Sequence, residues 1–242
     1  MTVALIMAGG RSERMRASSS NACHKALRHI HGMSLLERNL RHVLRAGVDQ
    51  VFVATNPHEE SIQDFVQNEA STIAADAGAE ISCLIENQPL GTIGVAQRLA
   101  DADSPIIVLN VDNLTTLCLS DLVVHHRKTG AAMCIATHVE GFQVPLGQVI
   151  CDDGEITEYL EKPTMPVRIS SGAYVLSPRV CSWIEPNRRT DIPELIPMIQ
   201  SRAERVVAFE HDAVWIDIND AETLSRAEEL VSQHQQEFAD LS

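Results

Sequence analysis

Val3-Ala-Leu-Ile-Met7-Ala-Gly-Gly10-Arg-Ser-Glu-Arg14-Met15, followed ten residues later by Lys25, decides how this chain folds. Val3 to Met7 is an apolar run with the length and branching of a buried strand. It stops at Ala8-Gly9-Gly10, where two glycines let the backbone turn sharply and come close to a ligand. Arg11, Arg14, Arg16 and Lys25 then load the turn with positive charge. A glycine turn after a first strand, ringed by cations, suits a triphosphate, because backbone N–H groups and cationic side chains converge on its oxygens. A tight surface turn with solvated arginines is the other reading of the same residues.

Outward from this stretch, strands alternate with helices. Ala26 to His31 reads as a short extended segment ending at Gly32. Ser34-Leu-Leu-Glu37 has the pattern of a capping box, and Leu35, Leu36, Leu40, Val43 and Leu44 follow at helical spacing up to Gly47. Further strands are expected at 51–54, 81–85 and 106–109. Helices are expected at 59–70, from a Thr92 cap to about 102, and from Ser120 to Gly130. This alternation predicts a mostly parallel, Rossmann-like α/β sheet with helices on both faces. After residue 130 the pattern changes to strands at 131–138, 143–151, 155–161 and 169–176, with Asp152-Asp153-Gly154 as a hairpin turn. A helix beginning Asp191-Ile-Pro193, strands at 206–209 and 214–218, and a helix over 221–236 close the chain. No repeat or linker interrupts it. The expectation is one domain over 1–242, with a nucleotide-binding half (1–130) and a more antiparallel half (131–242) that covers the site.

Bulk properties narrow the function. A 45% hydrophobic share can fill a core, yet no apolar run reaches the ~18 residues of a membrane span. The net charge of −14 argues against nucleic acid and anionic membrane as partners. The charge is uneven: residues 1–48 carry eight Arg/Lys and two Glu, which fits a small anionic ligand held at that end. Cysteines 23, 83, 118, 134, 151 and 181 are scattered without a C-x-x-C pair, which points to reduced thiols in a cytoplasm rather than disulfides or zinc. No basic n-region or cleavage site suggests a signal peptide. A homodimer is compatible with the chain, though no motif supports it.

Two carboxylates draw attention by position. Asp112 ends the strand Val108-Leu-Asn-Val-Asp112, and in a parallel sheet ligands sit outside the carboxyl ends of the strands. A carboxylate there, beside a phosphate loop, suits a magnesium ion. A turn-capping aspartate is the alternative. Glu86-Asn-Gln-Pro89-Leu-Gly91-Thr92 follows the third strand and should share that rim.

Ala8-Gly9-Gly10-Arg-Ser-Glu-Arg14-Met15 and Lys25 resemble the signature A-G-G-x-G-T-R-L/M…P-K of the nucleotidyltransferases that activate sugar 1-phosphates, mannose-1-phosphate guanylyltransferases among them. Ser12 and Glu13 stand for Gly-Thr and His24 for the proline, a variant closer to the molybdenum-cofactor guanylyl- and cytidylyltransferases on the same fold. Pro89-Leu-Gly91-Thr92 resembles the nucleoside-binding loop, Val108-Leu-x-x-Asp112 the context of a metal aspartate, and Trp215-Ile-Asp217-Ile-Asn219 the second metal aspartate with Asn219 for glycine. Gly147, Asp153-Gly154-Glu155-Ile156 and Tyr159-Leu-Glu161-Lys162-Pro163 resemble y-G-v…d-G-x-I…f-x-E-K-P, with Leu146 for the aromatic. Ser171-Gly172-Ala-Tyr174 resembles N-x-G-i-Y, with serine for asparagine. The series covers residues 3 to about 226 in order.

The resemblance implies an enzyme that joins a nucleoside triphosphate to a sugar 1-phosphate with release of pyrophosphate. It implies Mg²⁺ on Asp112 and Asp217; Arg14, Lys25 and Lys162 as catalytic cations; Ala8, Gly9, Gly10, Glu86, Pro89, Gly91 and Thr92 around the nucleotide; and Asn113, Gly147, Glu161, Lys162 and Ser171 around the sugar. GTP is favoured, since an ionised Glu86 offers two acceptors and guanine offers N1–H beside an amino group; a backbone carbonyl reading the base, with Glu86 on the ribose or in solvent, is the other reading. Two alternatives stand beside it: a cytidylyl- or guanylyltransferase acting on a non-sugar or cyclitol phosphate, and a non-catalytic nucleotide-binding paralogue.

Overall fold

The structure is a computed structural model, and it describes residues 2–9 and 24–239. The expectations for Gly10, Arg11, Arg14, Arg16 and Cys23 lie outside the described residues.

The apolar run at the start forms β1 (Val3–Met7). Lys25–Leu27 is a single 3₁₀ turn, and β2 (His29–Ile30) and β3 (Met33–Ser34) make a small hairpin where an extended segment was expected. Ser34 caps α1 (Leu35–Arg45), its Oγ accepting from Glu37 N–H at 3.1 Å. Only half of the capping box forms, because the Glu37 carboxylate is taken by Arg41 one turn on, at 2.8 Å. β4 (Gln50–Thr55) leads into α2 (Glu60–Phe65), a π turn over Val66–Ala70 and α3 (Ser71–Asp76), so this helical stretch runs further than the expected 59–70.

β5 (Glu80–Ile85) is followed by a 3₁₀ helix, Gly94–Leu99, and then β6 (Ile106–Asn110), β7 (Asn113–Thr115) and α4 (Leu119–Thr129). Ser120 does not cap α4; Cys118 holds the N-cap position without a side-chain bond, and Gly130 ends the helix in the left-handed region. β8 (Met133–Gln143), β9 (Gln148–Asp152), β10 (Glu155–Leu160) and β11 (Thr164–Leu176) come next, with Asp153 and Gly154 both at positive φ in the expected tight hairpin. After α5 (Pro178–Cys181), Asp191 and Glu194 form a reciprocal capping box at the start of α6 (Ile192–Gln200). β12 (Val206–Glu210), β13 (Trp215–Asp217), α7 (Ala221–Gln233) capped by Asp220, and α8 (Gln235–Ala239) complete the described chain.

Seven strands form one sheet in the order β12-β8-β11-β6-β1-β4-β5. β11 alone runs against its neighbours β6 and β8; β1, β4, β5 and β6 pair in parallel, as does β12 with β8. The expected change of pattern after residue 130 is therefore real but partial, since both halves feed a single sheet. Alternation along β1 explains its two covered faces. Ala4 and Ile6 pack with Leu36, Leu40, Ile62 and Leu122, while Val3 and Leu5 pack with Leu90, Ile93, Leu195 and Ile199. Leu5 and Ile6 are fully buried, so truncating either to Ala costs about 2–5 kcal/mol. A third cluster joins Ile30, Leu35, Leu114, Ile216 and Ile218 to Ala227, Val231 and Phe238 of the C-terminal helices.

The strand order places the site. The chain steps from β1 outward to β4 and β5, then returns across β1 to β6. The carboxyl ends of β1 and β6 flank this switch point, where open α/β sheets hold their ligands. Ala8-Gly9 and Asp112 follow those two strand ends, and Glu86 follows that of β5.

Candidate functional site

Lys25, Asp112 and Asp217 come together at that edge. Lys25 starts the 3₁₀ turn, whose cap is the buried His24; His24 Nδ1 accepts from Ala26 N–H at 3.1 Å and fixes the turn. The Lys25 ammonium pairs with Asp112 Oδ2, and both side chains are largely shielded, at 16% and 19% exposure. β7 and β13 are antiparallel partners with Asn113 opposite Asp217, and Ile218 N–H donates to the Asp112 carbonyl at 3.0 Å. Strand pairing therefore presents two aspartates, far apart in sequence, to one point.

Asp217 is half-shielded and poorly compensated. Asn219 Nδ2 donates to its Oδ2 at 2.5 Å, but its Oδ1 is buried without a hydrogen-bond partner among the described residues. Burial first, and then the neighbouring Asp112, push its carboxyl above the usual range, against the pull of Asn219 and Lys25. Among the described residues this leaves an acceptor bare beside a second carboxylate, with one lysine for two negative charges, an arrangement that suits a cation. No group of three or more His, Cys, Asp or Glu suited to a metal occurs among the described residues. Two carboxylates fit Mg²⁺, which is bound through one or two of them and completes its shell with water and substrate phosphate.

Glu86 forms the second part. It is 5% exposed, directly after β5. Its Oε2 accepts from Leu90 N–H at 3.1 Å, while Oε1 is buried with no partner among the described residues. A methyl group on Gly9 would stand 3.1 Å from that oxygen, so the loop after β1 and the loop after β5 meet here. Burial raises the Glu86 carboxyl, opposed by the Leu90 N–H and by Arg98. Pro89 is exposed at the rim, and the Ala8 N–H is used in the sheet, donating to Ala54 O at 2.9 Å.

Thr92 does something other than cap its own helix. That helix is 3₁₀, its N-cap is Ile93, and no side chain bonds it. Instead Thr92 Oγ1 accepts from Ile192 N–H at 2.9 Å, and Thr92 N–H donates to Asp191 Oδ1 at 2.8 Å. Two caps are exchanged between segments 100 residues apart. Gly91 lies inside this clasp at φ +82, and a side chain there would come 2.5 Å from the Thr190 carbonyl. Only glycine allows the approach.

The third group stands apart. Gly147, Glu161 and Lys162 lie on the arm made by β8 to β11, and among the described residues none pairs with the two aspartates. Glu161 and Lys162 are exposed, and Lys162 holds a left-handed backbone at φ +47, unusual for a residue with a side chain. Tyr159 crosses Gly147, whose missing side chain leaves the room, and its hydroxyl donates to Glu161 Oε2 at 3.4 Å. Asn113 is buried, with Nδ2 donating to the Ser171 carbonyl at 2.8 Å. Ser171 is fully buried, and its hydroxyl lies between His138 and His211.

Several supporting residues have no sequence signal. Asn39, on the inner face of α1, donates from Nδ2 to the Leu35, Val111 and Asn113 carbonyls and so holds the turn that carries Asp112. Tyr174 lies close enough to Asp112 for that carboxylate to add to the burial that raises its phenol. A buried asparagine inside a helix is a weak hint for the first; the pairing of β11 with β6 is needed for the second.

Residues 3–234 match the family model for nucleotidyl transferases, and the chain belongs to that family. It is 30% identical over 226 residues to the mannose-1-phosphate guanyltransferase beta-B of Xenopus laevis, covering 89% of this chain and 60% of that protein. It is 26% identical over 224 residues to mannose-1-phosphate guanylyltransferase 1 of Arabidopsis thaliana, again 89% of this chain and 60% of the relative. The chain thus spans about 60% of the length of these curated relatives. Among solved structures, HddC from Yersinia pseudotuberculosis shares the fold with a TM-score of 0.70 at 22% identity, covering 95% of this chain and 99% of that one. No described helix is long and apolar enough to cross a membrane.

Proposed function

We propose that this chain transfers a nucleotidyl group from a nucleoside triphosphate, GTP by preference, to a sugar 1-phosphate and releases pyrophosphate. The observation that carries the proposal is the buried Oδ1 of Asp217, without a partner among the described residues, on a carboxylate that feels the Lys25–Asp112 pair beside it. The relatives named as mannose-1-phosphate guanylyltransferases support the substrate pair.

In the reaction, an anionic oxygen of the sugar phosphate attacks the α-phosphorus, and the bond to the bridging oxygen of the β-phosphate breaks on the opposite side. Pyrophosphate leaves with the electron pair. No protein nucleophile and no general base are required. Catalysis then comes from positioning and charge stabilisation. Asp112 and Asp217 would hold Mg²⁺, which supplies positive charge to the oxygens of the reacting phosphates. Lys25 leaves its carboxylate partner to reach the α-phosphate oxygens, and Arg14, by the family resemblance, would hold the departing pyrophosphate. Lys162 and Glu161 close in from the arm, the ammonium onto the sugar phosphate and the carboxylate onto sugar hydroxyls. Glu86 Oε1 takes the N–H edge of the base. The chain acts as one catalytic domain, and its scattered free thiols suit the cytoplasm.

The test is a matrix of GTP, ATP, UTP, CTP and dTTP against hexose 1-phosphates and an inositol phosphate, with pyrophosphate release as readout. GTP with a hexose 1-phosphate should be the best pair. Tight nucleotide binding without pyrophosphate from any pair would support the non-catalytic alternative instead.

A further inference from the structure

Behind the two aspartates lies a polar chain that the reaction does not use. His138 Nδ1 and His211 Nε2 are 2.8 and 2.7 Å from Ser171 Oγ. The backbone decides which way the hydrogen bonds run. Ala213 N–H donates to His211 Nδ1 at 3.2 Å, so that nitrogen is an acceptor and the neutral ring carries its proton on Nε2. Nε2–H therefore donates to Ser171 Oγ. The single hydroxyl proton of Ser171 is left to donate to His138 Nδ1. His138 then carries its own proton on Nε2, which donates to Glu140 Oε1 at 3.3 Å. Every donor meets an acceptor in this one direction only.

Burial and then His138 hold His211 below the usual imidazole range, against the pull of Asp212. The other charged neighbour on the strand before it, Glu210, is engaged with Arg168 at 2.6 Å. The His211 imidazole is thus held in its neutral form, in keeping with the acceptor role of its Nδ1.

The chain is tied to the site through the backbone of the same serine. The Ser171 carbonyl accepts from Asn113 Nδ2 at 2.8 Å and from Trp215 Nε1 at 2.9 Å. Asn113 stands on β7 beside Asp112, and Trp215 on β13 two residues before Asp217. The indole also lies against the His138 ring, with centroids 4.4 Å apart. The pairing of β11 with β8 breaks between Ser170 and Tyr174, and this bulge aims Ser171 inward. Gly172, at φ +68, makes room for it: a side chain there would fall 1.7 Å from Asn113 Nδ2.

We propose that His138, Ser171 and His211 form a positioning unit that locks Trp215 and the Ser171 carbonyl, and through them holds Asp217 facing Asp112. The inference rests on the proposed role of Asp217 as a metal carboxylate, and the two are separable by experiment. Mn²⁺ alone is the probe, its binding measured by electron paramagnetic resonance at pH 7.5 in wild type, His211→Ala, His211→Gln and Asp217→Asn. Trp215 emission is followed in a Trp183→Phe background, which leaves it as the single tryptophan. The glutamine amide can replace the Nε2–H donor to Ser171, and alanine cannot. His211→Ala should weaken Mn²⁺ roughly tenfold or more, the scale for losing a group that orients a ligand, whereas His211→Gln should stay within about threefold of wild type. Trp215 emission should move to the red in His211→Ala and hold in His211→Gln. Equal affinity and equal emission in the two variants would overturn the proposal. Wild-type Mn²⁺ affinity in Asp217→Asn would sink the metal role alone, and the emission comparison would still decide the positioning unit by the same criterion.

Discussion

Replacing Glu86 by glutamine should cost this protein its preference for guanine while leaving its fold intact. The two carboxylate oxygens have different surroundings. Oε2 is held by Leu90 N–H at 3.1 Å, and Oε1 is buried beside Gly9 with no partner among the described residues. In Glu86→Gln the amide oxygen must stay on the Leu90 N–H, because the opposite rotamer would set two donors against each other. The new NH₂ then occupies the place of Oε1 and points at the N1–H and amino group of guanine. A hydrogen bond to a charged group contributes about 1.5–3 kcal/mol. Its loss corresponds to roughly a 10- to 150-fold fall in kcat/KM for GTP. ATP, UTP, CTP and dTTP do not present two adjacent donors, so their values should change by less than about threefold on the same arithmetic. Stability should not suffer, since burial already disfavours the charged form of Glu86. The sign of the pH dependence follows. A carboxyl raised above its usual range protonates first as pH falls and then presents a donor to guanine. The wild-type KM for GTP should therefore rise in mild acid while that of Glu86→Gln stays flat. The assay is steady-state pyrophosphate release with each of the five triphosphates and the best sugar phosphate. An unchanged GTP value, or the same loss for all five, would refute base reading by Glu86.

Asp217→Asn should raise the melting temperature of the metal-free protein at pH 7.5: the folded carboxyl is raised, so the charged form costs stability that is recovered below the unfolded pKa. The gain over wild type should vanish as calorimetry is repeated down to about pH 4, near that unfolded value. Gly172→Ala should destabilise, since it adds about 1–3 kcal/mol of left-handed strain and displaces the buried Asn113 amide; a melting temperature lowered by less than about 2 °C would contradict the contact. Asp191→Ala removes the cap of α6 and the acceptor for Thr92 N–H, at a cost of about 1 kcal/mol. It should raise KM for GTP more than it lowers kcat, because the loop it braces carries Glu86 and not the reacting phosphates.

The parts of this fold that depend on local pattern were visible in the residues themselves. Val3 to Met7, 51–54, 81–85 and 106–109 are short apolar runs bounded by breakers, and each is a strand. Asp152-Asp153-Gly154 turns as its composition demands. The meeting of Lys25 with Asp112 followed from placing strand ends on one edge, whereas Asp217 was expected beside them only from the resemblance of Trp215-Ile-Asp217 to a family motif. What escaped depends on partners distant in sequence. Thr92 has every mark of an N-cap, yet its hydroxyl serves Ile192, because the loop after β5 packs against the start of α6. Ser171 looked like a sugar contact by its place in a motif. The bulge in β11 turns it to His138 and His211, and nothing in the spacing of 138, 171 and 211 foretells that meeting.

Two aspartates and a lysine at the sheet edge should together run a metal-assisted nucleotidyl transfer. The most direct measurement is the rate of pyrophosphate release from GTP and a hexose 1-phosphate in Mg²⁺, for wild type and Asp112→Asn, with nucleotide affinity determined alongside. Asp112→Asn, a near-isosteric change, should stay folded and keep its GTP affinity but lose roughly 10²-fold or more in kcat, and excess chelator should abolish the wild-type rate. Turnover in Asp112→Asn equal to wild type, or a wild-type rate undiminished in chelator, would contradict metal assistance.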